Sequence, residues 1–281
     1  MGMSLAGYFS ITRPLNAVVS GIAAVIGYLV ATGTVTPESL ILIPVVFCIT
    51  AAGNVINDYY DAEIDAINRP DRPIPSGALS RGAARSFALT LFLAGILIAL
   101  YTGPIGIAIA ILNSLLLVAY AARLKSMPFF GNVAVSYLSG SIFLFGGAFA
   151  GFSGLVENIP LAAITFLAML ARELLKDAED VEGDAACGAR TLPMEIGIPG
   201  TARLALDCAL FAAAASLFPV LRWGFWYLGG IAVVDCIILA ACLRVLPCTT
   251  PACVKATRST TFLKAGFFLS LAVFSAAALL L

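Results

Sequence analysis

Residues 54–65 read NVINDYYDAEID, and residues 173–184 read ELLKDAEDVEGD. Together these two stretches hold most of the 16 acidic residues of a chain that is 61% hydrophobic and 11% charged. A carboxylate at the centre of a lipid bilayer costs about 2.5–3.5 kcal/mol even on the most permissive scale. We therefore expect both stretches to lie at a membrane surface or in a water-filled cavity, and to have a function there.

The rest of the chain is typical of membrane-spanning helices. A helix needs about 20 apolar residues to cross about 30 Å of hydrocarbon, and the mean hydropathy of +1.01 reflects many such runs. The sequence predicts an all-α membrane protein in which residues 1–281 form a single transmembrane domain. Nine runs are predicted to span, at 14–33, 38–57, 84–102, 104–122, 131–153, 160–177, 200–221, 224–246 and 260–281.

The basic residues predict the orientation, because loops rich in Lys and Arg stay in the cytoplasm. With the amino terminus inside, every Lys and Arg except Arg222 falls on the cytoplasmic side. The carboxyl terminus is then outside, and the connections 58–83 and 178–199, which carry the acidic residues, face the cytoplasm. Some basic residues are expected only to fix the orientation of the chain in the membrane. They are Arg81, Arg85, Arg203, Lys255, Arg258 and Lys264.

The two acidic stretches share one spacing. Each has four oxygen-bearing side chains at steps of four, three and four residues. They are Asn54, Asp58, Asp61 and Asp65 in the first stretch, and Glu173, Asp177, Asp180 and Asp184 in the second. An Arg-x-x-Pro follows each stretch, at 72–75 and at 190–193. The repetition predicts two four-helix repeats in parallel orientation, with a ninth helix appended.

Residues at this spacing lie on one face of a helix, where like charges repel unless a cation neutralises them. Carboxylate and carboxamide oxygens are hard ligands that suit Mg²⁺, Mn²⁺ or Ca²⁺. Since Mg²⁺ commonly combines one or two carboxylates with substrate phosphate, two such faces predict metal ions with a diphosphate between them. Basic side chains suited to the remaining phosphate oxygens are Arg69, Arg72, Arg123, Lys125, Lys176 and Arg190.

The composition excludes several other sites. The chain has no histidine, which excludes histidine-ligated zinc or haem and histidine acid–base catalysis. Its seven cysteines are expected to be apolar fillers, with no disulfide between Cys248 and Cys253 beside a cytoplasmic loop. The net charge of zero gives no indication of nucleic-acid binding. A cation-coupled transporter is an alternative, although transporter sites lie near the membrane midplane.

At its motifs the chain resembles the UbiA superfamily of intramembrane prenyltransferases. The family's pattern N-D-x-x-D-x-x-x-D matches residues 57–65, and its second motif, D-x-x-x-D, matches residues 180–184. An Arg-Pro-x-Asn matches residues 13–16, and a Tyr-to-Lys motif after the fourth helix matches residues 120–125. Within the superfamily, residues 68–77 and 172–184 resemble the archaeal digeranylgeranylglyceryl phosphate synthases.

The resemblance implies Mg²⁺-dependent transfer of a prenyl group from an isoprenyl diphosphate donor, with surrounding membrane lipids as further partners. In the archaeal subfamily a geranylgeranyl group passes to the 2-hydroxyl of geranylgeranylglyceryl phosphate, a lipid-like phosphate acceptor. This reaction forms the second ether bond of archaeal membrane lipids. Relatives with aromatic acceptors (4-hydroxybenzoate, or quinone, chlorophyll or haem precursors) share the metal motifs, so both acceptor classes stay open.

The resemblance also implies roles for individual residues. One Mg²⁺ would bind Asn57, Asp61 and Asp65, and another would bind Asp180 and Asp184, joined by Asp177. The catalytic carboxylates would be those of Asp61, Asp65, Asp180 and Asp184, with Asn54 and Asp58 as further ligands or supports. Arg13 joins the candidate phosphate contacts. The prenyl chain or its allylic cation would meet aromatic faces, for which the candidates are Tyr59, Tyr60, Tyr120, Tyr137 and Phe149.

Overall fold

The computed structural model describes residues 4–186 and 188–280, and all regular structure in them is helical. The α-helices are α1 (Leu5–Ile11), α2 (Pro14–Thr32), α3 (Leu42–Tyr60), α4 (Ala62–Asn68), α5 (Arg81–Ala99), α6 (Gly103–Ala122), α7 (Phe130–Phe149), α8 (Phe152–Glu157), α9 (Ile159–Ala186), α10 (Leu192–Ser216), α11 (Val220–Val245), α12 (Pro251–Thr257) and α13 (Ser259–Leu280). Short 3-10 turns occur at Pro37–Ile41, Leu100–Thr102 and Leu124–Ser126. The predicted all-α class is confirmed.

Eight helical segments in the described part of the chain are long and apolar enough to cross a membrane. Each of the nine predicted spans overlaps one of them, because the 42-residue segment Arg81–Ala122 contains two. A straight helix of that length would measure about 63 Å, twice the thickness of the hydrocarbon core. The turn Leu100–Thr102 and Gly103, with φ 79°, separate α5 from α6, which pack against each other. The count of nine spans itself stays a prediction.

α10 is kinked near its start. Gly197 has φ 75° and ψ 161°, a conformation that glycine adopts without a Cβ clash, and Pro199 two residues later has no N–H to donate. α10 begins at Leu192, before the kink, whereas the sequence predicted a span that begins at residue 200. The kink leaves residues 192–196 as a short helical piece that precedes the membrane-spanning part.

α7 lies at the centre of the bundle, in contact with α2, α6 and α9. Its glycines allow this close approach. A Cβ added at Gly146 would lie 2.0 Å from the Ala24 carbonyl oxygen of α2, and one at Gly140 would lie 2.5 Å from the Ala162 carbonyl oxygen of α9. Even alanine at either position would push two helices apart, so small residues set the spacing at the centre.

Two clusters of buried apolar side chains stabilise the bundle. One joins α1, α3, α5 and α6, the other joins α9 to α13, and α2 and α7 contribute to both. Large apolar side chains also lie exposed along outer faces, such as Leu89, Leu93 and Leu97 at helical steps on α5, and Phe225 and Trp226 on α11. Apolar outer faces of this kind suit a lipid environment.

One loop differs from the expectation drawn from the sequence. Cys248 and Cys253 form a disulfide, with their Cα atoms 5.5 Å apart. The expectation of free thiols was therefore wrong for this pair. It was based on the predicted cytoplasmic location, whereas the tight connection between α11 and α12 brings the two side chains together. The disulfide fixes the start of α12 close to the end of α11.

Candidate active site

Both acidic stretches line one cavity of about 1180 Å³. The 58–83 connection contributes α4, and the 178–199 connection begins as the last turns of α9. Polar side chains that line the cavity between residues 13 and 125 include Arg13, Asn54, Asn57, Asp61, Asp65, Arg69, Arg72 and Lys125. Those from residue 132 onward include Asn132, Arg172, Glu173, Lys176, Asp177, Glu179, Asp180, Glu182, Asp184 and Lys255. The fold thus brings the two predicted halves of the site together.

The first acidic stretch runs through a bend between two helices. α3 ends at Tyr60, Asp61 has φ −83° and ψ 0°, and α4 begins at Ala62. Helical hydrogen bonding continues, because the Asp61 N–H donates to the Asn57 carbonyl at 2.9 Å and the Asp65 N–H donates to the Asp61 carbonyl at 2.8 Å. The three side chains therefore keep the common face that their spacing predicts, and Asn57 Nδ2 donates to Asp61 Oδ2 at 2.8 Å.

Arginine side chains neutralise much of the first stretch. Arg72 Nη1 donates to Asp65 Oδ2 at 2.5 Å and to Asp58 Oδ1 at 3.1 Å. Arg13 Nη2 donates to the same Asp58 oxygen at 2.6 Å. Asp58 is buried and does not line the cavity. Its position fits a support that holds two arginines at the cavity wall better than a ligand that reaches a metal ion.

The connection after α6 delivers a further cation to the first stretch. Lys125 lies in the 3-10 turn Leu124–Ser126, and its ammonium group binds the Asp61 carboxylate. Tyr120, in the last turn of α6, lines the same cavity. The Tyr-to-Lys motif of the sequence therefore presents both of its end residues to the site.

The second acidic stretch lies on an unbroken helix. α9 stays helical from Ile159 to Ala186, so the side chains of Asp177, Asp180 and Asp184 share one face. Asn132 of α7 donates from Nδ2 to Asp177 Oδ2 at 2.9 Å. Within residues 4–186 and 188–280, Asp180 and Asp184 form no ion pair. This wall of the cavity has carboxylates that no basic side chain of the protein neutralises by contact.

The donor atoms of the cavity fit a divalent cation that prefers oxygen. One wall offers Asn57 and Asp61, whose side chains are 2.8 Å apart, and the opposite wall offers Asp180 and Asp184. Among the described residues, no three acidic or cysteine side chains converge into a ready-made metal cage. Sparse protein ligands of this kind suit Mg²⁺, which completes its shell with water and substrate phosphate.

The cavity continues as an apolar channel between α3, α6 and α7. Val45, Leu117, Ile142 and Phe145 are among its lining residues. Along α3 the lining extends from Val45 to Asn57, about 18 Å at 1.5 Å per residue. A polar mouth joined to a long apolar channel suits an amphiphile with an anionic head and a hydrocarbon chain.

Two of the predicted phosphate contacts do not reach the cavity. Arg190 is exposed, and its Nη2 donates to Glu195 Oε1 at 2.6 Å. Arg123 ends α6 and is also exposed. Asn54 does line the cavity, but its Nδ2 donates to the Thr12 carbonyl at 2.9 Å, so this amide serves to hold α1 against α3. The remaining predicted basic contacts, Arg13, Arg69, Arg72, Lys125 and Lys176, all line the cavity.

Of the predicted aromatic residues, Tyr120 lines the cavity and the others do not. The ring of Tyr59 faces the guanidinium of Arg81, with 5.0 Å between the Arg81 Cζ and the ring centre. Successive side chains of a helix are rotated by about 100°. Residues next in sequence to a cavity residue at the end of α3 therefore point away from the cavity. The aromatic candidates that lie off the cavity wall are Tyr59, Tyr60, Tyr137 and Phe149.

Several cavity residues were not identified as site residues from the sequence, and three of them have informative surroundings. Asn132 is buried and holds Asp177; its polar side chain in a predicted apolar span was the available signal. Thr191 is 6% exposed, and its Oγ1 has no hydrogen-bond partner although it lines the cavity. Lys255, expected to serve topology, lies on the cavity wall because α12 packs against α9.

Comparison with known proteins identifies relatives over the whole chain. The model of the UbiA prenyltransferase family matches residues 17–272. The digeranylgeranylglyceryl phosphate synthase of Methanoregula boonei is 61% identical over 279 residues, covering 99% of this chain and 100% of that protein.

Solved structures have the same fold. One, described as digeranylgeranylglyceryl phosphate synthase in membranes, superposes with a TM-score of 0.85 at 33% identity and covers 99% of both chains. A UbiA homologue from Archaeoglobus fulgidus bound to GPP and Mg²⁺ gives a TM-score of 0.68 at 15% identity, covering 94% of this chain and 99% of that one. The second likeness concerns the fold alone.

Proposed function

The chain belongs to the UbiA prenyltransferase family, and from this membership we propose that it is an integral membrane enzyme of ether-lipid synthesis. It transfers a geranylgeranyl group from geranylgeranyl diphosphate to the 2-hydroxyl of geranylgeranylglyceryl phosphate. The identity of 61% over nearly the full length to a protein of that name supports the acceptor class. The observation that carries the proposal is the single cavity, which joins two carboxylate walls, a set of basic side chains and an apolar channel.

The carboxylate walls bind the donor's head group through metal. Asn57, Asp61 and Asp65 would hold one Mg²⁺, and Asp180 and Asp184 would hold another with help from Asp177. Bare carboxylates would repel a diphosphate, and Mg²⁺ supplies the positive charge that joins the two and stabilises the diphosphate as it leaves. The Archaeoglobus fulgidus protein of the same fold binds GPP and Mg²⁺, which supports a prenyl diphosphate donor bound with metal but identifies no ligand residues.

The basic side chains of the first wall exchange partners when the donor binds. Lys125 and Arg72 pair with Asp61 and Asp65 in the structure. With Asp61 and Asp65 engaged in metal binding, the Lys125 and Arg72 side chains would be free to bind phosphate oxygens of the donor. Asp58 keeps Arg13 and Arg72 at the wall during the exchange, because it binds both and lies outside the cavity.

The apolar channel takes the prenyl chain and keeps water from the reacting carbon. The bond between that carbon and the diphosphate oxygen breaks, and the diphosphate leaves with the electron pair. The acceptor's 2-hydroxyl oxygen then bonds to the carbon, and its proton passes to a carboxylate of the cavity or to the departing diphosphate. Tyr120 is the aromatic side chain beside the carboxylate walls, where its ring can stabilise the positive allylic fragment.

The membrane topology completes the proposal. Nine spans, with the amino terminus in the cytoplasm, put the mouth of the cavity on the cytoplasmic side, and the distribution of Lys and Arg supports this orientation. The matched spacing of the two acidic stretches supports two four-helix repeats and a ninth helix. The connections 58–83 and 178–199 then frame the cytoplasmic mouth.

The test is a transfer assay with the purified protein. Geranylgeranyl diphosphate, Mg²⁺ and geranylgeranylglyceryl phosphate are expected to give the doubly prenylated glyceryl phosphate, detected by mass spectrometry. EDTA is expected to abolish the product and added Mg²⁺ to restore it. Full activity in EDTA would contradict the metal assignment. A prenylated product obtained from 4-hydroxybenzoate but not from geranylgeranylglyceryl phosphate would replace the ether-lipid function with an aromatic acceptor.

A further inference from the structure

Resting on the proposed function, we propose that Lys255, with Arg172 beside it, binds the phosphate group of the lipid-like acceptor. This subsite lies apart from the carboxylate faces that hold the donor's diphosphate. Lys255 is carried by the short helix α12 and lines the cavity. No motif of the sequence assigns it a role beyond topology.

α9 carries two polar stripes, and only one of them is the carboxylate face. Arg172 and Glu179, seven residues and about two helical turns apart, share the first stripe. Glu173 and Asp177 begin the second stripe one position later, about 100° further round the helix. Because α9 is unbroken, the two stripes face different walls.

The hydrogen bonds of the two stripes show which helices each stripe faces. Asp177 of the carboxylate stripe accepts a hydrogen bond from Asn132 of α7 at 2.9 Å. Glu179 of the other stripe accepts from Thr260 Oγ1 of α13, at 3.0 and 3.1 Å. α12 also packs against α9, and Lys255 and Arg172 both interact electrostatically with the Glu179 carboxylate. The Arg172 stripe therefore faces α12 and α13, where Lys255 lies.

The pairing of charges leaves Lys255 able to bind an anion. Glu179 is held by Thr260, and Arg172 contacts Glu173. The Lys255 carbonyl accepts the Arg258 N–H at 3.2 Å, but the Lys255 ammonium group forms no ion pair or hydrogen bond within the described residues. Glu182 also lines the cavity, one turn beyond Glu179, so the positive end of this wall is the one towards Arg172.

The basic side chains near the donor site are different from Lys255 and Arg172. The first acidic stretch already has Arg13, Arg72 and Lys125 as cations. Lys176 interacts electrostatically with Asp177 and Asp184 and so belongs to the carboxylate face. A phosphate monoester carries about two negative charges near neutral pH. Bound to Lys255 and Arg172, it places the acceptor's glycerol between that wall and the donor's head group.

Kinetics of the full-length enzyme with separate donor and acceptor titrations test the proposal. Lys255→Gln is expected to raise the KM for geranylgeranylglyceryl phosphate about tenfold or more, the loss typical of a hydrogen bond to a charged group, and to leave the KM for geranylgeranyl diphosphate within about twofold. Lys255→Arg keeps the charge and is expected to restore most of the acceptor affinity. Lys264→Gln, a basic residue off the cavity wall, is the matched control and should behave as wild type.

The signature of the subsite is discrimination between acceptors with and without phosphate. The wild type is expected to prefer geranylgeranylglyceryl phosphate over geranylgeranylglycerol, and Lys255→Gln is expected to lose most of that preference. An unchanged preference in this variant, with active wild type, would overturn the subsite while leaving the proposed function intact. A rise confined to the donor KM would move Lys255 to the diphosphate and overturn the proposal equally. Wild type that transfers to neither acceptor would refute the proposed function, and the subsite with it.

Discussion

The two acidic stretches have the same spacing in the sequence and different surroundings in the structure. On the α3 side, a bend at Asp61 interrupts the helix, and arginine and lysine side chains contact Asp58, Asp61 and Asp65. On the α9 side, the helix is unbroken, and Asp180 and Asp184 form no ion pair within the described residues. Within the described residues, ion pairs to basic side chains are thus concentrated on the α3 side, and on the α9 side the stretch has one, between Glu173 and Arg172.

This difference indicates a division of labour within one site. Under the proposed function, Asp180 and Asp184 would accept a metal ion without displacing a paired basic side chain, whereas Asp61 and Asp65 would first release Lys125 and Arg72. Those cations then have a diphosphate oxygen to bind, so their release is coupled to arrival of the donor. The spacing alone would have suggested two equivalent metal sites.

The largest effect is expected from removing one carboxylate on either side. Asp61→Asn and Asp184→Asn should each lower kcat about 100-fold or more, because loss of a ligand exceeds the 10–100-fold loss typical of groups that only support a ligand. Transfer assays at saturating Mg²⁺ measure this. Glu195→Gln is the matched control, since Glu195 pairs with Arg190 outside the cavity. Wild-type turnover in either aspartate variant would remove that wall from the site.

The next largest effect is expected on the free energy of unfolding, when an arginine that pairs with buried carboxylates on the α3 side is replaced. Arg72→Gln leaves the largely buried carboxylates of Asp58 and Asp65 with less positive charge, and should lower the free energy of unfolding by about 2 kcal/mol. Arg81→Gln breaks an ion pair with Glu63, which is 85% exposed, and should cost under about 0.5 kcal/mol. Thermal unfolding in detergent compares the two. Equal losses would contradict the buried network around Asp58.

A smaller effect, on the Mg²⁺ requirement, is expected from removing the uncharged side chain that hydrogen-bonds to Asp177 on the α9 side. Asn132→Ala removes the hydrogen bond that orients Asp177 and should raise the Mg²⁺ concentration for half-maximal activity about tenfold. Ser136→Ala, one turn further along α7 and off the cavity wall, is the control. A Mg²⁺ requirement unchanged in Asn132→Ala would mean that Asp177 takes no part in metal binding.

The smallest effect is expected from basic residues near the stretches that do not line the cavity. Arg123→Gln and Arg190→Gln should change kcat and both KM values by no more than about twofold, because exposed cations in water contribute little. A loss of tenfold or more in either variant would restore its predicted role as a phosphate contact.

The sequence predicts the carboxylate face well because the information is local. Asn57, Asp61 and Asp65 are fixed relative to one another by helical geometry, and the bend at Asp61 preserves their common face. The all-helical class follows equally directly from the length and apolar character of the runs. Both depend on periodicity rather than on how distant helices pack.

Features that depend on tertiary packing were not predicted. Asn132 and Lys255 reach the cavity because α7 and α12 pack against α9, which no short pattern in either helix encodes. The disulfide between Cys248 and Cys253 depends likewise on the geometry of one turn. Conversely, Tyr59 lies within the first motif in sequence, but its ring faces Arg81 and does not line the cavity.

Calorimetry of donor binding tests most directly whether the two stretches are halves of one metal–diphosphate site. Geranylgeranyl diphosphate is titrated with Mg²⁺ into the wild type, Asp61→Asn and Asp184→Asn. Tight binding is expected for the wild type, and at least about tenfold weaker binding is expected for both variants. Wild-type affinity in either variant would show that one stretch binds the donor without the other, and would contradict the shared site.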